Sequence, residues 1–255
     1  MGRLWGYLKD DRSAGNSAPP AVWFAYTPDR KGKWPAEHLA SFNGTLQADG
    51  YAGYNALYAT GRIQEAACWA HVRRKFYEID QVQPKGFARE VLQAIAELYA
   101  IEKVVKGQSP EQRVIARQAR AGPTLASLKE KLRTTLSQVP RKLPLAKAIH
   151  YALTRWDALC RYINDGKLEI DNNPIEREIR PIALGRKNYL FAGSDAGGER
   201  AAMMYSLINT AKLNGIEPEA YLTRVLSVIA DHPVNRVDEL LPWNIEAIQS
   251  STDSQ

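Results

Sequence analysis

Two carboxylates in this 255-residue chain sit where a metal ion could be held. Asp49 follows the strand-like run TLQA and precedes Gly50, so its side chain projects from a strand end where the chain turns. Such a position suits a ligand to a hard divalent cation, which takes oxygen donors and completes its shell with water and phosphate. The competing reading is plain turn chemistry, because Asp-Gly is a common turn pair. Glu176 lies in DNNPIEREIR, which reads as a helix start with Asn173 as N-cap, Pro174 in the first turn and Glu176 at the capping-box position. Ile175, Ile179 and Ile182 form an apolar stripe, and Arg177 and Arg180 lie on another side. A first-turn carboxylate beside arginines is placed to hold a metal next to a phosphodiester, and both readings stand at this point.

Other groupings carry less. Cys68 and His71 in CWAHVRRKF have a spacing found in zinc sites, but no second pair accompanies them. The same segment offers Arg73, Arg74 and Lys75 to a phosphate backbone, with Trp69 and Phe76 directed into a core. GSDAGGER lacks the Lys-Ser or Lys-Thr ending of a phosphate loop, so a turn capping the next helix is expected, with Arg186 and Lys187 nearby as DNA contacts.

These residues need elements to position them. LWGYL and AVWFAY read as strands of a hairpin with a long connection, followed by a short helix near Pro35, a strand ending at Asp49 and a short helical piece at Asn55 to Tyr58. IQEAACWAHV reads as a strand running into a basic helix. From about Phe87 to Ile163 the period becomes helical, with Val91, Ile95, Leu98 and Ile101, then Leu125, Leu128, Leu132 and Leu136, and breaks are expected near Gly122, Pro123, Pro140 and Pro144. A later helix, AAMMYSLINTAKLNG, carries unusual polar residues.

The formal charge is +6, yet the stretch from Arg113 to Arg155 holds ten basic residues against Glu130, a net of +9. Arg113, Arg117 and Arg120 share a helix face, and Lys129 and Arg133 repeat the spacing. Basic stripes fit a phosphate backbone, and equally a solvated helix face. The composition, 45% hydrophobic and 24% charged, excludes disorder, collagen and a disulfide scaffold. The charged opening lacks the apolar run of a signal peptide, and no stretch is long enough to span a membrane. With two distant cysteines, Cys68 and Cys160, the chain reads as cytoplasmic.

Taken in order, LQADGYAGYNALY, CWAHVRRKF, the run from DNNPIEREIR to PEAYL, and DELLPW resemble the transposases of the insertion-sequence sixty-six family, from Gly2 to Trp243. The resemblance implies an α/β fold: a ribonuclease-H-like mixed sheet with a large helical insertion and a helical carboxy-terminal part. The corresponding divisions are 1–86 and 164–215 for the catalytic core, 87–163 for the insertion and 216–255 for the terminal helix and tail. It also implies a DDE transposase that cleaves insertion-sequence ends and transfers strands with two Mg2+ (or Mn2+) ions, Asp49 matching the second aspartate and Glu176 the glutamate. Arg73, Arg74, Lys75, Arg113, Arg117, Arg120, Asn173, Arg177, Arg180, Arg186 and Lys187 are then the expected DNA-binding residues.

The family's first aspartate lies on a strand upstream of the segment matching Gly2 to Trp5, and Asp10, Asp11 and Asp29 do not match it. The chain is therefore expected to be a truncated portion, inactive alone, poorly stable or aggregating, with the first strand of the sheet missing. Expected partners are transposon-end and target DNA, further copies of the chain on DNA, full-length transposase and companion proteins of the element. Association with the nucleoid follows from DNA binding. The alternative is a non-enzymatic DNA-binding or regulatory remnant, and a helical scaffold without a nucleic-acid role is a third reading.

Overall fold

The aromatic runs at the start of the chain form the expected hairpin. In the computed structural model, which describes residues 2–185 and 192–245, β1 (Arg3–Lys9) pairs antiparallel with β2 (Ala21–Thr27), Trp5 opposite Ala25. Alternation sends Val22 and Phe24 inward, and the Trp5 indole donates to Thr27 Oγ1 at 2.8 Å.

The chain divides into two units. The first holds this hairpin and the residues from 174 onward. Its helices are α8 (Asn173–Gly185), α9 (Asp195–Leu213) and α10 (Pro218–Val228), numbered after those of the second unit. Ile175, Ile179 and Ile182 pack against Val22, Phe24 and Ala202, so the apolar stripe read from α8 is the face it buries. The polar residues of α9 have a definite task. Ser206 Oγ accepts the Phe24 N–H at 2.8 Å, and Thr210 Oγ1 accepts from Val22 N at 3.2 Å and donates to Val22 O at 3.1 Å. These side chains satisfy the outer edge of β2, which would otherwise be open to another strand. Asn209 donates to Glu178 O on α8 at 3.1 Å. As expected, GSDAGGER caps a helix: Ser194 is the N-cap of α9 and accepts the Gly197 N–H at 3.1 Å.

The second unit holds residues 11–16 and 31–173. It contains α1 (Lys33–His38), β3 (Gly44–Gln47), α2 (Asn55–Ala59), β4 (Ile63–Ala66), α3 (Trp69–Val82), α4 (Phe87–Val105), α5 (Pro110–Gln138), α6 (Pro144–Thr154) and α7 (Trp156–Cys160). β3 and β4 pair in parallel, Gly44 opposite Ile63. The core is the one the helical period indicated: Val91, Ile95 and Leu98 of α4 meet Leu125, Leu128 and Leu132 of α5, with Trp69 and Phe76 of α3 beside them. Ile101 and Leu136 are only partly buried at its margin.

The described residues form two two-stranded sheets, and what stands is a mostly helical α/β chain. Two local expectations are corrected. α5 runs unbroken through Gly122 and Pro123. A mid-helix proline costs about 3 kcal/mol, but Ala121, Leu125, Leu128 and Leu132 are buried on either side of it and tertiary packing outweighs the local break. α5 is also well started, since Ser109 and Gln112 form a reciprocal capping box ahead of Pro110. In addition, α8 begins at Asn173 and not at Pro174, and the carboxylate that accepts the Asn173 N–H, at 3.0 Å, is Asp171.

Candidate active site and nucleic-acid interface

The β3–β4 ladder reaches one bond past Gln47, through Ala48 N to Ala66 O at 3.2 Å, and Asp49 stands just beyond it, half-buried. Its Oδ1 accepts the Tyr51 N–H at 3.1 Å. This is the side-chain turn that Asp-Gly foretold, and it uses only one carboxylate oxygen. Gly50 adopts φ 76°, and a Cβ there would meet the Arg155 guanidinium and the Tyr151 hydroxyl. Gly50→Ala is therefore expected to destabilise the protein by about 1–2 kcal/mol from the left-handed backbone alone, measured by urea unfolding; an unchanged midpoint would show that the turn relaxes freely.

Two helices close around this turn. Tyr151 of α6 donates to the Asp49 carbonyl at 3.4 Å, and Arg155 Nη2 donates to the Gly50 carbonyl at 3.3 Å. The Tyr151 ring carries two cations, Lys75 Nζ at 4.5 Å and the Arg155 guanidinium at 4.7 Å from its centroid. Arg73, Arg74 and Lys75 of α3 are all exposed, and Trp69 and Phe76 lie in the core as read from sequence. Sequence reading missed Tyr151 and Arg155, which lie more than a hundred positions from Asp49 with no local pattern marking them.

Glu176 occupies the first turn of α8, half-buried, with Arg177 and Arg180 exposed on the same helix. Asn173 is not a free polar contact: its Nδ2 donates to Asp171 Oδ2 at 2.7 Å. Asp171 is buried and also accepts the Tyr99 hydroxyl at 2.6 Å, and desolvation, then this bond, pushes the Tyr99 phenol up. Asn172 Oδ1 is buried with no hydrogen-bond partner. Arg186 and Lys187 lie outside the described residues.

The basic stripe on α5 is the main correction among the site residues. Arg120 is exposed, but Arg113 and Arg117 are buried. Arg117 grips Glu102 of α4 with both ends, Nε to Oε1 at 2.8 Å and Nη2 to Oε2 at 2.6 Å, and donates to the carbonyls of Tyr162 and Leu168 at 2.8 and 2.9 Å. Arg113 Nη2 lies 2.9 Å from Glu169 Oε1. Neither guanidinium is available to DNA; both fasten α4, α5 and the segment 162–169 together. Burial offers a guanidinium no way to shed its charge, so each is matched by a carboxylate.

Both cysteines are free thiols. Burial pushes the Cys68 thiol up to about 11 and the Cys160 thiol up to about 12, which keeps both protonated near neutrality. Among the described residues no three His, Cys, Asp or Glu side chains gather closely enough to hold a metal ion, and no helix is long and apolar enough to cross a membrane.

Comparison with known proteins adds the family. The model of the Transposase IS66 family matches residues 1–200, and that of the IS66 C-terminal element matches residues 206–243. The uncharacterized protein y4hP of Sinorhizobium fredii is 39% identical over 267 residues, covering 98% of this chain and 48% of the relative. A second protein of that organism, y4jD, is 40% identical, covering 97% and 50%. The chain thus spans about half the length of these curated relatives. No solved structure matches it. With most of its length matched in order by both models, the chain belongs to the Transposase IS66 family.

Proposed function

We propose that this chain is the carboxy-terminal portion of a DDE transposase that cleaves and joins DNA at insertion-sequence ends with divalent magnesium or manganese. The observation that carries the reading is Asp49: a half-buried carboxylate at a strand end, one oxygen engaged in its own turn, with Lys75 and Arg155 stacked on the adjoining Tyr151. Glu176, in the first turn of α8 with Arg177 and Arg180 exposed along it, is the second carboxylate of the reading.

The donors suit the metal in kind. Both are carboxylates, and magnesium commonly takes one or two of these and fills its shell with water and phosphate. They fall short in number among the described residues, which gather no group of three. Asp49 and Glu176 are the residues that would hold the ions; bound there, the metals would polarise the attacking and leaving oxygens of an in-line displacement at phosphorus. The chain's own part is positioning. Arg73, Arg74, Lys75, Arg120, Arg177 and Arg180 supply exposed charge to the phosphate backbone, and Tyr151 and Arg155 hold the Asp49 turn rigid through its carbonyls.

In the same reading the sheet is ribonuclease-H-like, with the helices of 87–163 inserted, and a preceding strand in the longer protein completes it. Among the described residues β1 pairs with β2 alone and β3 with β4 alone, which leaves each pair an edge for such a strand. Further copies of the chain and companion proteins of the element are partners on the DNA.

The test is a joining assay with the longer protein, labelled insertion-sequence ends and a plasmid target, with magnesium and with chelator. Metal-dependent strand transfer is expected. Binding to the ends without any metal-dependent cleavage or joining would replace this reading with that of a non-enzymatic DNA-binding regulator.

A further inference from the structure

Within the helical unit, beside the Asp49 turn, lies a cleft of about 420 Å³ whose walls come from α5, the α6–α7 corner and β4. It carries Lys129, Arg133, Arg155 and Arg161, against the carboxylates of Glu65 and Asp157. We propose that this cleft binds the phosphodiester backbone of DNA and leads that strand to Asp49. The proposal rests on the reading that the chain acts on DNA, and it assigns the track to residues other than the exposed arginines of α3 and α8.

Three observations carry it. First, the cations are fixed by contacts that leave charge facing the cleft. Arg161 donates through Nε to Glu65 O at 2.8 Å and through Nη1 to Gln64 Oε1 at 3.0 Å, both neutral oxygens. Lys129 Nζ stands 5.8 Å from the Trp156 ring centroid. Among the described residues only Arg133 of the four is held by a carboxylate at hydrogen-bond distance, Glu130 at 3.1 Å, and that pair is exposed, where exchange for a phosphate oxygen costs little.

Second, Arg155 Nε is buried and makes no hydrogen bond; the nearby carboxylate oxygen, Glu65 Oε1, is 3.9 Å away. A buried cationic donor without a hydrogen bond leaves the charge of Arg155 incompletely offset beside the cleft, which favours an anion there. Third, Arg155 joins the cleft to the candidate catalytic turn. It lines the cleft, stacks on Tyr151 and donates to the carbonyl of Gly50, next to Asp49. A backbone bound along Lys129, Arg133 and Arg161 therefore arrives at the carboxylate by way of a residue both places share.

The test is fluorescence anisotropy of the 255-residue chain with labelled duplex DNA across a salt series. Lys129→Gln and Arg133→Gln are combined, since Arg133 is exposed, Lys129 is half-exposed and neither is in the core. Each phosphate contact contributes about 0.9 to the log–log salt slope. The double variant should therefore bind about tenfold more weakly with a slope lower by about two, melt at the parent's temperature, and recover binding as Lys129→Arg with Arg133→Lys. Unchanged affinity and slope in a variant whose parent binds DNA would overturn the cleft and leave the DNA reading standing. No binding by the parent chain at low salt would sink both. Inorganic phosphate is the second probe: if it raises the melting temperature of the parent but not of the double variant, while both bind duplex DNA equally, the cleft takes small anions and the proposal falls.

Discussion

Replacing Arg117 by alanine is expected to lower the unfolding free energy by about 3–5 kcal/mol, enough to consume much of the stability of an ordinary domain. The guanidinium is fully buried and Glu102, which it grips, is only 10% exposed. Alanine would leave that carboxylate in a low-dielectric site with only the more distant Arg113 Nη2, 3.5 Å away, to offset it. It would also strip the carbonyls of Tyr162 and Leu168 of a charged donor. Urea unfolding of the variant measures the effect. Combining Arg117→Met with Glu102→Leu should cost much less than the two single changes added, because the pair is removed with its desolvation penalty. A loss below about 1 kcal/mol for Arg117→Ala would mean that water reaches the site. The same experiment separates structure from DNA contact: a backbone-binding arginine on a solvated face would change stability by no more than about 0.5 kcal/mol.

That outcome turns on a pattern present in the sequence. Counting back along α5 from Leu132 through Leu128, Leu125 and Ala121, the next inward positions are Arg117 and Arg113. The arginines continue the apolar stripe. Their shared face was legible from spacing; its direction was not, because charge was read as solvation and the acids that neutralise them, Glu102 and Glu169, lie elsewhere in the chain. The continuity of the stripe with the leucines was the available signal. Pro123 misled in the opposite sense, for a local breaker is overruled when the residues around it are needed in one core. The strands, the hairpin and the apolar faces of α4, α5 and α8 were legible because period and burial agree there. The polar face of α9 was visible as an oddity, but its use in sealing the edge of β2 became clear only with the partner strand in place.

The candidate site divides in the same way. Asp49 and its turn followed from a strand, an Asp-Gly pair and a reversal of chain direction, all local. Tyr151 and Arg155, which hold that turn, are long-range neighbours that no spacing rule joins to it. Lys129 and Arg133 were visible as part of a stripe, yet the cleft they line requires β4 and the α6–α7 corner. Local chemistry was readable; the walls around it were set by packing.

The carboxylates themselves can be tested so that a structural role and a catalytic one give opposite results. Asp49→Asn keeps an oxygen to accept the Tyr51 N–H, and asparagine is as good a turn residue as aspartate, so the fold should be unmoved. Glu176→Gln likewise preserves whatever capping the first turn of α8 draws from the side chain, since glutamine serves that position as glutamate does. What each change removes is a negative charge. In the longer protein, either variant is expected to lower metal-dependent strand transfer by roughly a thousandfold or more, about 4 kcal/mol of transition-state stabilisation, with melting temperature and DNA affinity within error of the parent. The loss follows because a neutral amide is a far poorer ligand for a hard divalent ion than a carboxylate. If Asp49 were only the corner of a turn and Glu176 only a cap, both variants would transfer strands at the parental rate. Retained activity in either one therefore strikes that residue from the catalytic set, and retained activity in both dismantles the proposed site.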